Sequence, residues 1–158
     1  MVPIKMITIE LNSIGIKGES KEDSFENICM HLCCRNLKVT SIDSYKNQPG
    51  IETEPFQVGG LNYGFQVKYY KNKFDWPQIR HSIAGDKNSK TKSQNIKFIY
   101  PENVFKKYSL KTLYIYSNKE KTLSGRNKTK DEKLLNDLAK SYKATIKFIT
   151  EKSIIFEL

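Results

Sequence analysis

Four polar side chains within residues 49–70 have the types and spacing of a site that hydrolyses phosphodiesters with a metal ion. Glu52 and Glu54 lie two residues apart, and so do Gln66 and Lys68. Side chains two apart on a strand share a face, so two paired strands would gather two carboxylates, an amide oxygen and an ammonium group. Mg²⁺ prefers oxygen ligands, and a nearby lysine can stabilise a pentavalent phosphorus. We therefore expect Glu52, Glu54 and Gln66 to bind Mg²⁺ or Mn²⁺, with Lys68 assisting the hydrolysis.

Two adjacent strands must position these residues, and the sequence predicts them over 51–56 and 63–70. Gly59-Gly60 between them fits a hairpin turn. The second strand has alternate apolar residues at Phe65, Val67 and Tyr69. We therefore expect this strand to be central in the sheet, with Gln66 and Lys68 on the side opposite the core.

The rest of the chain alternates between helical and strand patterns. An amphipathic helix is predicted over 21–36, with Ser20 or Ser24 as its cap. Asp75 is the predicted cap of a second helix, over 75–84, and a third helix is predicted over 131–142. Further strands are predicted over 37–45, 96–100, 111–116 and 145–149, a short helix or turn over 102–108, and a short turn over 153–158. This order predicts a single α/β domain, 1–158 with its core at about 20–150, in which helices flank a mixed β-sheet.

The motif residues resemble those of a known nuclease superfamily. Gly50-Ile51-Glu52, followed on the next strand by Gln66-Val67-Lys68, is similar to the PD-(D/E)xK superfamily, and specifically to its Mrr-type restriction endonuclease-like group, in which Gln replaces the second acid. Ser24-Phe25-Glu26 resembles the helix of that group whose glutamate points toward the metal. The usual first acid of the group is Asp, where this sequence has Glu52. Glu54 leaves open which glutamate is the main ligand.

A longer stretch of the sequence resembles this nuclease module as it occurs in one class of larger proteins. The segment 63–70, followed by Gln78-Ile79 and Ser82-Ile83, is similar to the nuclease-like module at the N-terminus of bacterial antiphage NTPases of the STAND class. The resemblance covers about residues 20–84. It implies a restriction endonuclease-like fold, a cytoplasmic DNA endonuclease acting in antiviral defence, and catalytic roles for Glu52, Gln66, Lys68 and Glu26. It also implies a possible homo-oligomer and a possible place within a larger STAND NTPase chain.

The charge of the chain favours a polyanionic partner such as DNA. Lys and Arg number 27 against 17 Asp and Glu, for a net charge of +10. A composition rich in Lys, Asn and Ile gives the same excess of positive charge, so the charge alone does not decide between a DNA partner and a compositional bias. The candidate DNA-binding residues are Lys71, Lys73, Arg80, Lys87, Lys90, Lys92, Arg126 and Lys128. His81 follows Arg80 on the second predicted helix, where a solvated face is the favoured interpretation over a phosphate contact.

Several classes of protein are excluded by what the sequence lacks. No apolar run approaches the roughly 20 residues of a membrane helix, and the N-terminus has no signal-peptide pattern. Cys29, Cys33 and Cys34 are too closely clustered for a disulfide framework or a structural zinc site. We expect them to be buried small hydrophobic residues on a helix in a reducing compartment.

Three functions therefore remain open. The first is a magnesium-dependent DNA endonuclease. The second is a catalytically inactive module that keeps the nuclease fold and binds nucleic acid or a partner protein, and the third is a protein–protein adaptor. Metal-dependent cleavage and the salt dependence of DNA binding discriminate among them.

Overall fold

A mixed four-stranded sheet carries helices on both faces. The computed structural model describes residues 20–40, 55–84, 102–123 and 129–158, with 102–104 described by their backbone alone. Its elements are α1 (Lys21–Leu37), β1 (Phe56–Val58), β2 (Leu61–Lys68), α2 (Trp76–Ala84), a π-helical turn (Glu102–Lys107), β3 (Leu110–Ser117), α3 (Lys130–Ser141), β4 (Thr145–Ile149) and α4 (Glu151–Glu157). The predicted α/β fold is confirmed. None of the helices in these ranges has the length and apolar character needed to cross a membrane.

The strands follow the order β1-β2-β3-β4, with β2 inside the sheet as predicted. β1 and β2 are antiparallel, whereas β2, β3 and β4 run parallel to one another. Parallel neighbours need crossover connections, and helices α2 and α3 lie in the two that this sheet contains. The carboxyl ends of β2, β3 and β4 therefore share one edge of the sheet.

The predicted hairpin joins β1 to β2. Gly59 and Gly60 have φ angles of 59° and 78°, which suit a tight turn between twisted antiparallel strands. Phe56 pairs with Tyr63 across the ladder. Strand β1 begins one residue after Pro55, whereas Glu52 and Glu54 lie outside the described residues.

The two faces of the sheet are covered by different helices. Phe65 and Val67 of β2 pack with Phe25 and Cys29 of α1 in one core cluster. The other cluster contains residues of β3, α2 and α3, among them Leu113, Ile115, Ile79, Ile83 and Leu135. Parallel strands are commonly buried on both faces in this way.

This double burial corrects one expectation about β2. Gln66 alternates with Phe65 and Val67 and pairs in register with Ile115, so it lies on the α2–α3 face. That face is also packed, and only 2% of Gln66 is exposed. Gln66 was expected on a face of β2 without a core, but both faces are packed and Gln66 is buried.

The helix starts follow the predicted capping residues. Ser20 Oγ accepts a hydrogen bond from Asp23 N at 3.0 Å, and Asp75 Oδ1 accepts one from Gln78 N at 3.0 Å. These side chains satisfy main-chain donors that have no partner within the first helical turn. Of the two proposed caps for α1, the structure selects Ser20.

Several predicted ends differ from those observed. β1 ends at Val58, whereas the first strand was predicted over 51–56, and β2 is Leu61–Lys68, whereas the second was predicted over 63–70. The strand predicted over 37–45 is wrong in its first residues, because α1 extends to Leu37 and Lys38 ends it with φ of 55°. At the C-terminus, residues 151–157 form helix α4 rather than a short turn. Glu120 Oε1 accepts a hydrogen bond from Lys152 N at 2.8 Å, so a distant side chain caps this helix. The strand predicted over 96–100 lies outside the described residues, and a π-helical turn occupies most of 102–108.

Candidate functional site

A cleft of about 300 Å³ opens beyond the carboxyl end of β2, between α1 and α2. Lys68, the last residue of β2, forms part of its wall. Crevices outside the carboxyl ends of strands are common ligand sites in open α/β sheets. The other lining residues are Glu22, Glu26, Val67, Tyr69, Gln78, His81 and Ser82.

Helix α1 brings Glu26 to this cleft because the preceding residue anchors the helix to the sheet. Phe25 is 2% exposed and packs in the cluster that contains Val67. Its ring also contacts that of Tyr69, with centroids 5.8 Å apart. Glu22 lies one helical turn earlier and therefore shares the face of Glu26. Two carboxylates of α1 thus line the same cleft as Lys68.

Helix α2 forms the opposite wall. Ile79 and Ile83 are fully buried in the core and fix the rotation of the helix. Gln78, His81 and Ser82 occupy the adjacent stripe, spaced three and four residues apart, and line the cleft. His81 is exposed, as the favoured interpretation predicted, and it also forms part of the cleft wall.

Gln66 is a buried polar residue, and the hydrogen bonding of its side-chain oxygen is incomplete among the described residues. Its Oε1 has no hydrogen-bond partner in the part of the chain that the structure describes. Leaving such an atom unpaired costs on the order of 1–3 kcal/mol, which makes it a candidate for a functional contact. Gln66 is not in the cleft wall. It lies two residues before Lys68 on the same face of β2, roughly 7 Å away at the usual strand rise.

The described residues provide only part of the predicted metal site. Across these ranges, no group of three or more His, Cys, Asp or Glu side chains is arranged to hold a metal ion. The described oxygen donors near Lys68 include the carboxylates of Glu22 and Glu26 in the cleft wall and, deeper in the sheet, the amide of Gln66. Their chemistry suits Mg²⁺, which prefers oxygen ligands.

The predicted DNA-binding residues divide into three groups. Lys71 and Lys73 are exposed in the segment that connects Lys68 to α2. Arg80 lies on α2, where its Nε is 3.5 Å from Oδ1 of Asp131 on α3, so its guanidinium already has an anionic neighbour. The remaining candidates lie outside the described residues: Lys87, Lys90, Lys92, Arg126 and Lys128.

The structure thus brings Glu26 and Lys68 together, as the sequence predicted, and adds residues that were not assigned to the site. Gln78 and Ser82 belong to the stretch that carries the resemblance but were given no role in the site, and Glu22 and His81 belong to no motif. The spacing of the three α2 residues relative to buried neighbours indicates that they share one face of a helix, but it does not indicate what that face lies against. In comparisons with known proteins, no family model matches the chain, and no curated protein matches it either.

Proposed function

We propose that the chain is a metal-dependent endonuclease domain that hydrolyses DNA phosphodiester bonds at the cleft beyond β2. The observation that supports this most directly is that Lys68 and Glu26 line one cleft, although 42 positions separate them in the sequence. A lysine beside carboxylates at a strand end can bind a phosphate while the acids direct a metal or a water. The resemblance over residues 20–84 adds the setting: a cytoplasmic antiphage effector, within a larger STAND NTPase chain.

Each residue has a defined part in this proposal. The ammonium group of Lys68 contacts a non-bridging oxygen of the scissile phosphate and stabilises its growing negative charge. Glu52, Glu54 and Oε1 of Gln66 would hold Mg²⁺ or Mn²⁺, and the bound ion supplies charge neutralisation and a water of lowered pKa. Glu26 orients the groups around Lys68 from α1. Lys71 and Lys73 attract the DNA backbone toward the cleft.

Nicking of a supercoiled plasmid tests the proposal. The wild-type protein should convert the plasmid to open circles with Mg²⁺ and not with EDTA, and Lys68→Ala should remove this activity. Lys133→Ala is the matched control, because Lys133 is exposed on α3 and the substitution removes the same charge. Thermal unfolding shows whether both variants are folded. If Lys68→Ala cuts like the wild type, the assignment of the site is wrong.

A second function is favoured by one observation on the same site. Gln66 is almost completely buried and lies outside the cleft wall. This placement suits a module that keeps the nuclease fold and binds DNA or a partner protein without cleaving DNA. Such a module would bind DNA with a steep dependence on salt and cut in no divalent metal. Absence of any salt-sensitive DNA binding would instead indicate a protein–protein adaptor.

A further inference from the structure

A second pocket lies at the opposite end of the same strands. It has a volume of about 360 Å³, and its wall includes Leu61 and Leu110, the first residues of β2 and β3. Lys68 is at the other end of β2, seven residues away. At about 3.3 Å per residue, the pocket and the cleft are roughly 23 Å apart. The pocket is therefore separate from the proposed nuclease site.

The charged residues that the structure describes in the wall of this pocket are all positive. Lys106, Lys111 and Lys143 come from the π-helical turn, from β3 and from the turn after α3, and the described lining includes no Asp or Glu. In the ranges that the structure describes, none of the three ammonium groups pairs with a carboxylate. Three like charges around one pocket repel one another, and a bound anion would relieve that repulsion.

An aromatic surface accompanies these charges. Phe105 is 1% exposed, so its own ring is not open to a ligand; it stacks on the half-buried ring of Tyr142, with centroids 6.0 Å apart and an angle of 18° between the planes. Both residues line the pocket. A flat aromatic surface binds planar rings by stacking, whatever their sequence or substituents. The pocket thus offers a stacking surface and cations side by side.

The lysines are carried on turns of fixed geometry. Ser109, between Lys106 and Lys111, has φ of 47°, and the carbonyl of the preceding Tyr108 accepts a hydrogen bond from Nδ2 of Asn62 at 2.8 Å. Lys143 has φ of 57° in the turn that ends α3. Left-handed backbone is unfavourable for residues other than glycine and persists only where the surroundings enforce it. The backbone on either side of the pocket, next to Lys111 and at Lys143, is therefore set before any ligand binds.

We propose that this pocket binds a nucleotide, with its phosphates on the three lysines and its base against the ring of Tyr142. The volume suits a ligand of this size, since small-molecule pockets occupy about 300–1,000 Å³. A free nucleotide and a nucleotide within a nucleic-acid strand share this chemistry. The site is independent of cleavage at the cleft, so each assignment can fail without the other.

Calorimetric titrations with ATP, inorganic pyrophosphate and a short single-stranded oligonucleotide test the site. The variant Lys111→Ala/Lys143→Ala should weaken ATP binding roughly tenfold, about threefold for each lost charge pair. Lys133→Ala/Lys152→Ala removes two exposed lysines elsewhere and should bind ATP like the wild type. Equal losses in the two variants, or no binding of any probe by the wild type, would overturn the proposal.

Tyr142→Leu tests the stacking surface separately from the charges. It should weaken ATP binding severalfold and leave pyrophosphate binding unchanged, with thermal unfolding as the check on folding. Equal affinity for ATP and pyrophosphate in the wild type would show a simple anion site and refute the role of the base. Oligonucleotide binding that is tighter than ATP binding and is weakened by Lys111→Ala/Lys143→Ala would identify a strand as the source of the nucleotide, and tighter binding of ATP would identify a free nucleotide. Lys68→Ala should bind all three probes at this pocket normally.

Discussion

The side-chain amide of Asn118 forms two hydrogen bonds with the main chain of Tyr70. Its Nδ2 donates to the Tyr70 carbonyl at 2.9 Å, and its Oδ1 accepts from the Tyr70 N–H at 2.7 Å. The ladder between β2 and β3 ends at the pair Lys68 and Ser117, so the amide of Asn118 continues it in the manner of a peptide group. This pairing holds the carboxyl end of β2, where Lys68 enters the cleft.

Replacement of Asn118 by alanine should destabilise the protein by about 2–4 kcal/mol. Asn118 is fully buried, so the substitution removes both of its hydrogen bonds to the main chain of Tyr70 from a buried part of the protein. Urea unfolding measures the loss. The control is Asn36→Ala, because Asn36 is exposed and bonds only to the Glu157 carboxylate; it should change stability by about 0.5 kcal/mol or less. Similar losses for both would show that the pairing with Tyr70 contributes little.

Gln66→Met should make the protein more stable and inactive. Methionine has nearly the same shape and removes the buried oxygen that lacks a partner, which should raise the free energy of unfolding by about 1 kcal/mol. Plasmid nicking should fall to background if the oxygen is a metal ligand. Gln57→Met, at an exposed position of β1, should leave both quantities unchanged. Cleavage at the wild-type rate by Gln66→Met would exclude the amide from the metal site.

Local features of this fold were predictable because their causes lie within a few residues. Ser20 and Asp75 cap helices through donors three residues away, and Gly59-Gly60 makes the hairpin turn by its own backbone freedom. The burial of Gln66 was not predictable in this way. It depends on β3 and α2, which pack onto a face that alternation alone marks as polar. The cap that Glu120 provides for α4 likewise depends on residues about 30 positions apart.

The residues of the candidate site also divide into those that the sequence predicted and those that it did not. Glu26 and Lys68 were found through a motif, which carries information about distant pairing that local patterns lack. His81 belongs to no motif, and Gln78, although within the resemblance, was given no role in the site. The place of both residues in the cleft follows from how Ile79 orients α2 in the core. The local sequence predicted helix α2, but it did not predict which exposed face of this helix would line the cleft.

Cys33 should make the stability of the protein fall at alkaline pH. Burial raises the pKa of its thiol from 9.0 to about 12, with a hydrogen bond to Tyr116 lowering it in part. A folded-state pKa above the unfolded value means that the folded protein holds the proton more tightly. The stabilisation is therefore complete below pH 9 and is lost as the pH rises toward 12.

Cys33→Ala tests this dependence by comparison with the wild type. The free energy of unfolding from urea titrations above pH 9.0 should decline less steeply in the variant, since the thiol no longer titrates. A constant difference between the two proteins at every pH would show only the lost packing and would contradict the titration. Cys34→Ala is the control: Cys34 is half-buried, and the slope should change less than in Cys33→Ala.

Glu26→Gln should reduce DNA cleavage by roughly 10- to 100-fold, the usual effect of removing a residue that orients metal ligands. Glu26 is half-buried beside Phe25, whereas Glu22 is exposed at the start of α1. Both line the cleft, but a solvated carboxylate is easily replaced by water, so Glu22→Gln should lower the rate by less than about threefold. Initial rates of plasmid nicking at saturating Mg²⁺ compare the two variants. Equal effects would mean that α1 contributes negative charge to the cleft in general, and that the position of Glu26 has no particular role.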